Sequence, residues 1–214
     1  MNNKGFTITE LLVATVIAGL VLAAVYSVFY SQQKSYAAQT EISGMQQNLR
    51  AAMFFLEKDL RLAGCNPTGI ANVGIQSPLA NNTIQLTMDI TDDALSGNSD
   101  GDADDPEEDI TYTLADFDGD GDNDLLRNGN MIAENVDMID FRYLNAGGAV
   151  TSVISEIRSV LVTMVARTGK GDLGYIDANT YENTLGITIF TPPANDNHRR
   201  RLLSSEVQCR NLWF

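Results

Sequence analysis

One histidine, His198, and two cysteines, Cys65 and Cys209, are all the imidazole and thiol ligands that this 214-residue chain could offer a soft metal. A structural zinc site uses about four such ligands, and no Cys-x-x-Cys or Cys/His cluster occurs, so zinc is excluded as an organiser of the fold. Basic residues are also few, with Lys+Arg 14 against Asp+Glu 28 and a formal net charge of -14. Such a surface repels nucleic-acid phosphates and anionic lipid, and no nucleic acid partner is expected. Catalytic signatures are missing as well: there is no Gly-x-Ser-x-Gly, phosphate loop or dinucleotide fingerprint. The many carboxylates fall in turn-rich stretches where nothing apolar would hold one protonated for acid catalysis, so the chain is not read as an enzyme. Proline is absent before Pro67, which leaves the N-terminal third free to run as one helix.

What is present is apolar residues, 44% of the chain, enough for one sizeable core with an appendage. The appendage is at the N-terminus. Met1 to Gly5 is short and polar with Lys4 its charged side chain, and Phe6 to about Tyr30 is almost wholly apolar. About 20 residues suffice to cross a bilayer, and Lys4 on the short side leaves the N-terminus cytoplasmic and the bulk of the chain outside. Glu10 is the one acidic intruder in this run. A carboxylate so placed needs a partner. A cut between Gly5 and Phe6 would supply one, because the new α-amino group of Phe6 would lie about one helical turn from Glu10, on the same helix or a neighbour. The competing reading is an ordinary secretory signal peptide, with Ala23-Ala24 as a small-residue cleavage region. Against it stand the weakly charged start, the misplaced glutamate and helical patterning that continues past the apolar run.

Beyond Tyr30 the pattern turns amphipathic. Ile42, Met45, Leu49, Met53, Leu56 and Leu60 fall at three- and four-residue spacings and form one stripe, with Gln46, Gln47, Arg50, Glu57 and Lys58 on other faces. Gly64 and Pro67 then stop the helix. From Phe6 to about Ala63 it would measure roughly 85 Å, so half must protrude from so small a head. The remainder reads as short strands: Ile84, Leu86 and Met88 alternate with polar residues, as do Ile110, Tyr112 and Leu114, and further strands are expected at Val136 to Leu144, Ile157 to Ala166, Leu185 to Phe190 and Leu202 to Cys209. An antiparallel sheet packing its apolar face on the helical stripe makes the expected fold class α+β.

Three features keep two readings each. Cys65 and Cys209 could close a very long loop in an oxidising compartment, worth about 4 to 5 kcal/mol in the chain-entropy model, or could be buried free thiols. The run His198-Arg199-Arg200-Arg201 could grip phosphate or face this protein's own carboxylates, and the second is favoured. The run Asp116-Phe117-Asp118-Gly119-Asp120-Gly121-Asp122-Asn123-Asp124 opens as D-x-D-x-D-G, in which alternate carboxylates converge on one hard cation, and Ca2+ on Asp116, Asp118, Asp120, Asp122 and Asp124 is the expectation. Its twelfth position is Arg127 rather than a bidentate glutamate, so it is not an EF-hand. The plain alternative is a solvated acidic turn. A second acidic stretch, Asp100 to Asp109, is a weaker candidate for the same ion.

The stretch Lys4-Gly5-Phe6-Thr7-Ile8-Thr9-Glu10-Leu11-Leu12-Val13 resembles the class III signal of type IV prepilins and type II secretion pseudopilins. The resemblance implies cleavage after Gly5 by a membrane prepilin peptidase, N-methylation of Phe6, and a role for Glu10 in subunit docking. The absence of a proline in the helix departs from many major pilins. Glu108-Asp109-Ile110-Thr111-Tyr112, Ala133-Glu134-Asn135-Val136, Val165-Ala166-Arg167-Thr168-Gly169, Arg199-Arg200-Arg201-Leu202-Leu203 and Val207-Gln208-Cys209-Arg210-Asn211 together resemble the head of PilW-type minor pilins, relatives of the J-type pseudopilins.

That resemblance implies a pilin-like division into a leader over 1–5, a membrane and filament-core half of the helix over 6–30, an amphipathic half over 31–64 and a β-rich head over 65–214. It implies a low-abundance subunit, single-pass in the bacterial inner membrane with its head in the periplasm and later part of an extracellular pilus. Its partners would be other minor pilins, the major pilin and a tip adhesin. Two alternatives remain at this point, a J-type type II secretion pseudopilin and a membrane-tethered, calcium-dependent adhesion module.

Overall fold

The computed structural model describes Gly5 and residues 7–77, 80–91 and 99–213. Its first element is a single helix, α1, spanning Ile8–Leu62. The chain divides into two compact units, Met1–Glu41 and Ile42–Phe214. In the first, every helical side chain from Ile8 to Ala37 is exposed, Leu11, Val16, Leu20, Val25 and Phe29 among them. No proline or left-handed glycine breaks the helix there, and Gly19 and Gly44 lie in it with open space around them.

In the second unit the helix behaves as its stripe requires. Met45, Leu49, Met53, Leu56 and Leu60 are buried together with Ala52, and Ile42 packs on the edge of the same core. The helix ends where expected. Gly64 takes a φ of +79° and turns its N–H to the carbonyl of Thr87 rather than back into the helix. A Cβ at Gly64 would stand 2.7 Å from Leu212 Cδ2 and 3.2 Å from the Asn211 carbonyl oxygen, so this glycine serves both the turn and the approach of the chain's last described segment.

Ten strands follow. β1 (Gly74–Ile75), β2 (Ile84–Thr87), β3 (Asp109–Ala115), β4 (Asp124–Arg127) and β5 (Asn130–Ala133) form an antiparallel meander in that order. β6 (Val136–Leu144), β7 (Ser159–Arg167) and β10 (Arg200–Gln208) form a second antiparallel sheet with β7 central. β8 (Tyr181–Glu182) and β9 (Thr188–Phe190) make a small hairpin. β7 reads Ser-Val-Leu-Val-Thr-Met-Val-Ala-Arg and is buried on both faces up to Ala166. Its Thr163 hydroxyl, which could not stay unpaired there, meets Ser204 Oγ of β10 at 3.0 Å. One apolar core joins the helical stripe to Leu86, Ile110, Tyr112 and Leu125 of the first sheet and Phe141, Val162, Met164 and Val207 of the second.

This is the expected α+β arrangement of one long N-terminal helix and antiparallel sheets. Val136–Leu144 forms as read, but four other stretches shift. The strand expected from Ile157 begins at Ser159, because Ile157 closes a 3-10 turn over Ile154–Glu156. The strand expected from Leu202 starts earlier, at Arg200. Of Leu185 to Phe190 only Thr188–Phe190 is strand, since Asn183 Oδ1 accepts the N–H groups of Leu185 and Ile187 and Gly186 takes a φ of +74° to make a turn. Met88 lies just past β2 yet is fully buried, its N–H donated to the Glu108 carbonyl.

A buried carboxylate fixes the helix to the first sheet. Asp59 lies on the core face of α1, where it accepts the Tyr112 hydroxyl at 2.6 Å and Arg127 Nε at 2.7 Å. Arg127 reaches on to Glu107 at 2.5 Å. Burial, and then the Asp59 contact, raise the Tyr112 hydroxyl well above its ordinary value, so it stays a donor at any physiological pH.

Candidate functional site

Thr7 precedes the first helical residue, and its N–H donates to Glu10 Oε2 at 2.9 Å. The Thr7 hydroxyl donates to the same oxygen at 2.9 Å, and the Glu10 N–H lies 3.2 Å from Thr7 Oγ1. This is a capping box, Thr-x-x-Glu, in which two helix-start donors are satisfied reciprocally and the negative charge sits at the positive end of the helix dipole. Glu10 therefore has a local partner in this uncut chain. The sequence signature of that partner is Thr7-Ile8-Thr9-Glu10 ahead of an apolar run. Gly5 is non-helical and fully outside the box, while Phe6, the residue expected to carry the new amine, lies outside the described residues, as does Lys4. Following the box, α1 contains a stretch long and apolar enough to cross a membrane, none of it buried.

Residues 1–26 match the prokaryotic N-terminal methylation motif. The motif implies processing by a prepilin peptidase. Among solved structures, a type IV-like pilin from Thermus thermophilus is similar to this chain at 17% identity, with a TM-score of 0.49, over 78% of this chain and 97% of that one. No curated protein sequence matches.

The acidic loop joins β3 to β4. Asp116 Oδ1 and Oδ2 accept the N–H groups of Gly119 and Gly121 at 2.7 and 3.1 Å, and these glycines take φ values of +82° and +93°. Asp118 accepts the Asp120 N–H at 3.2 Å and Asp120 the Asp122 N–H at 3.1 Å. One oxygen from each of Asp116, Asp118 and Asp120 falls within 4.8 Å of the others. Asp122 is adjacent but turned to Arg167, which it binds as an ion pair. Asp124 is not part of the cluster. It is buried, with Oδ2 accepting the Phe117 N–H at 3.3 Å and Oδ1 the Asn135 N–H at 3.0 Å, so it closes the loop from below. Arg127, at the twelfth position, is committed to Asp59 and Glu107.

In the second acidic stretch Glu107 binds Arg127, and Asp109 accepts Gln85 Nε2 at 2.9 Å. Glu108 is fully buried, and its Oε1 accepts the N–H groups of Ile90 and Thr91 at 2.6 and 2.7 Å. Two members of the basic run, Arg199 and Arg200, face the protein's own carboxylates, as favoured. Arg200, 1% exposed, reaches Asp137, Asp196 and Asp177 at 2.7, 2.7 and 3.2 Å and stacks over Phe190. Arg199 binds Asp172 at 2.8 Å and lies over the Tyr175 ring. A cleft of about 400 Å³ opens here between Ile42, Met45 and Tyr181, but the four aspartates around Arg199 and Arg200 leave no surplus positive charge to attract a phosphate.

Cys65 and Cys209 are free thiols, so the expected staple is not formed in this structure. Cys209 lies in the core with its thiol directed at the Val207 carbonyl oxygen, and burial pushes it up to about 12. Cys65 is half-buried at the helix exit, where burial and the neighbouring Asp89 carboxylate raise its thiol above the ordinary value.

Proposed function

We propose that the chain is a minor subunit of a type IV pilus, cut after Gly5, methylated on Phe6 and held in the inner membrane by the first half of α1 until it enters a filament. The observation that carries this reading is the pairing of a methylation motif over residues 1–26 with a helical stretch from Ile8 to Ala37 on which no side chain is buried. An apolar surface of that extent is stable in lipid or in a bundle of like helices and not in water. The order of the head motifs supports the minor, PilW-type assignment, in which the subunit joins other minor pilins near the tip, starts assembly on the major pilin and carries an adhesin. The head would then stand in the periplasm, because Lys4 marks the cytoplasmic side.

The capping box refines the role of Glu10. Before cleavage the carboxylate is occupied by Thr7, and after cleavage the Phe6 amine competes for it, either in the same chain or from a neighbour. Glu10→Ala removes both partners. The expected result is a cleaved chain that reaches the membrane fraction in wild-type amount but is missing from sheared filaments. Incorporation of Glu10→Ala at the wild-type level would overturn the assembly role and leave a tethered binding module as the better account. Co-purification with other minor pilins, rather than with secretion-system subunits, is the expected partner result.

A further inference from the structure

The face of α1 turned away from the core carries a large aromatic between two cations. Arg50, Phe54 and Lys58 follow one another at four-residue spacing, so their side chains form a single ridge along the helix. All three are exposed, Phe54 at 67%. Phe55 flanks the ridge and meets the Phe54 ring edge-on, with 6.0 Å between centroids. Neither ring belongs to the core, which the same stretch of helix fills with Met53 and Leu56. Among the described residues neither Arg50 nor Lys58 forms an ion pair, and the carboxylate that the charge of Lys58 reaches, Glu107, is already bound to Arg127.

The β3–β4 loop is the inverse of that ridge. Phe117 stands 54% exposed between Asp116 and Asp118. The oxygens of Asp116, Asp118 and Asp120 lie within 4.8 Å of one another, close enough to repel. Their hydrogen bonds go to N–H groups of the loop itself, and among the described residues no lysine or arginine forms an ion pair with any of the three, since Arg167 is taken by Asp122. One surface therefore reads base, Phe, base and the other acid, Phe, acid. Each lacks in its own chain what the other supplies.

We propose that the Arg50–Phe54–Lys58 ridge is a docking surface for the β3–β4 loop of a second copy of this chain. Phe117 of one copy packs against Phe54 and Phe55 of the next, and the carboxylates of Asp116, Asp118 and Asp120 meet the two cations. Exposed ion pairs are each worth little, so removing the three rings from water supplies the attraction while the charges fix the register. A contact between two different patches can propagate, each copy offering its loop to one neighbour and its ridge to another. The inference does not rest on the filament reading, because copies held side by side in a membrane meet the same requirement.

Zero-length carbodiimide cross-linking of the full-length protein in detergent micelles tests this. Unlabelled and heavy-nitrogen protein are mixed in equal amounts, so peptides joined between copies carry both labels. Lys58 should couple to Asp116, Asp118 or Asp120 in mixed-label peptides, with a yield that falls at least about threefold as salt is raised. Phe54→Ala keeps every charge and should lower that yield at least about fivefold with an unchanged circular dichroism spectrum, and Phe117→Ala on the other side of the contact should do the same. Absence of mixed-label peptides, a yield indifferent to both substitutions, or coupling of Lys58 in native membranes to a different protein alone would each overturn the proposal.

Discussion

Single residues here do two things at once, and their substitution separates the two. Gly64 turns the chain out of α1 at a φ of +79° and leaves room for Leu212. Gly64→Ala should therefore destabilise the head by more than the roughly 1 kcal/mol of a left-handed alanine alone, because the Asn211 carbonyl cannot move aside as a side chain can. Leu56, fully buried in the core, should cost about 3 kcal/mol as Leu56→Ala in urea denaturation. Thr7 is a cap only. Thr7→Ala should leave the head's midpoint unchanged and speed hydrogen exchange of the first helical turn. The capping pattern Thr7-Ile8-Thr9-Glu10 is fully legible in the sequence. Asp122 was not legible in the same sense. It shares the alternation of Asp118 and Asp120, but only the fold brings Arg167 from β7 against it.

At the level of elements, a buried tie between helix and sheet is Arg127 of β4 with Asp59 of α1 and Tyr112 of β3. Removing one partner of a buried pair leaves an uncompensated charge, so Asp59→Ala should lower stability by roughly 3 kcal/mol. Tyr112→Phe, which removes only the hydroxyl, should cost about 1 kcal/mol. Both are read from chemical denaturation with unchanged secondary structure. The long elements were legible because their periodicity is set by one face or two: the stripe from Met45 to Leu60 and the continuous apolar run of β7. The β4–β5 hairpin was missed although Asn128-Gly129, with φ values of +50° and +73°, is a favoured two-residue turn. Its strands, Asp124–Arg127 and Asn130–Ala133, are short and lie against the acidic loop, whose composition reads as loop throughout. The two-residue strands β1 and β8 carry no pattern to read, since they exist only through pairing with β2 and β9.

For the whole chain, charge decides the response to acid. Hydrogen bonds and ion pairs hold Asp177, Asp196, Glu57 and Glu107 below the ordinary carboxylate range, the two aspartates in spite of burial that works the other way. A carboxylate lowered on folding stabilises fully above its unfolded value and loses that contribution as pH falls through its folded value. Melting temperature should hold from neutral pH down to about 5 and then fall below about pH 4. Asp137 and Asp122, which burial raises, shift oppositely and should soften the decline. A midpoint that rises steadily toward pH 3 would contradict this assignment of charges.

On the proposed function, the apolar helix is kept and only the residues ahead of Phe6 are removed. Mass spectrometry of the protein purified from the membranes of its own bacterium tests it most directly. The predicted N-terminal peptide begins at Phe6 and carries one added methyl group on the Phe6 amine. An intact chain, or one cut after Ala23-Ala24 as a secretory signal would be, would contradict it.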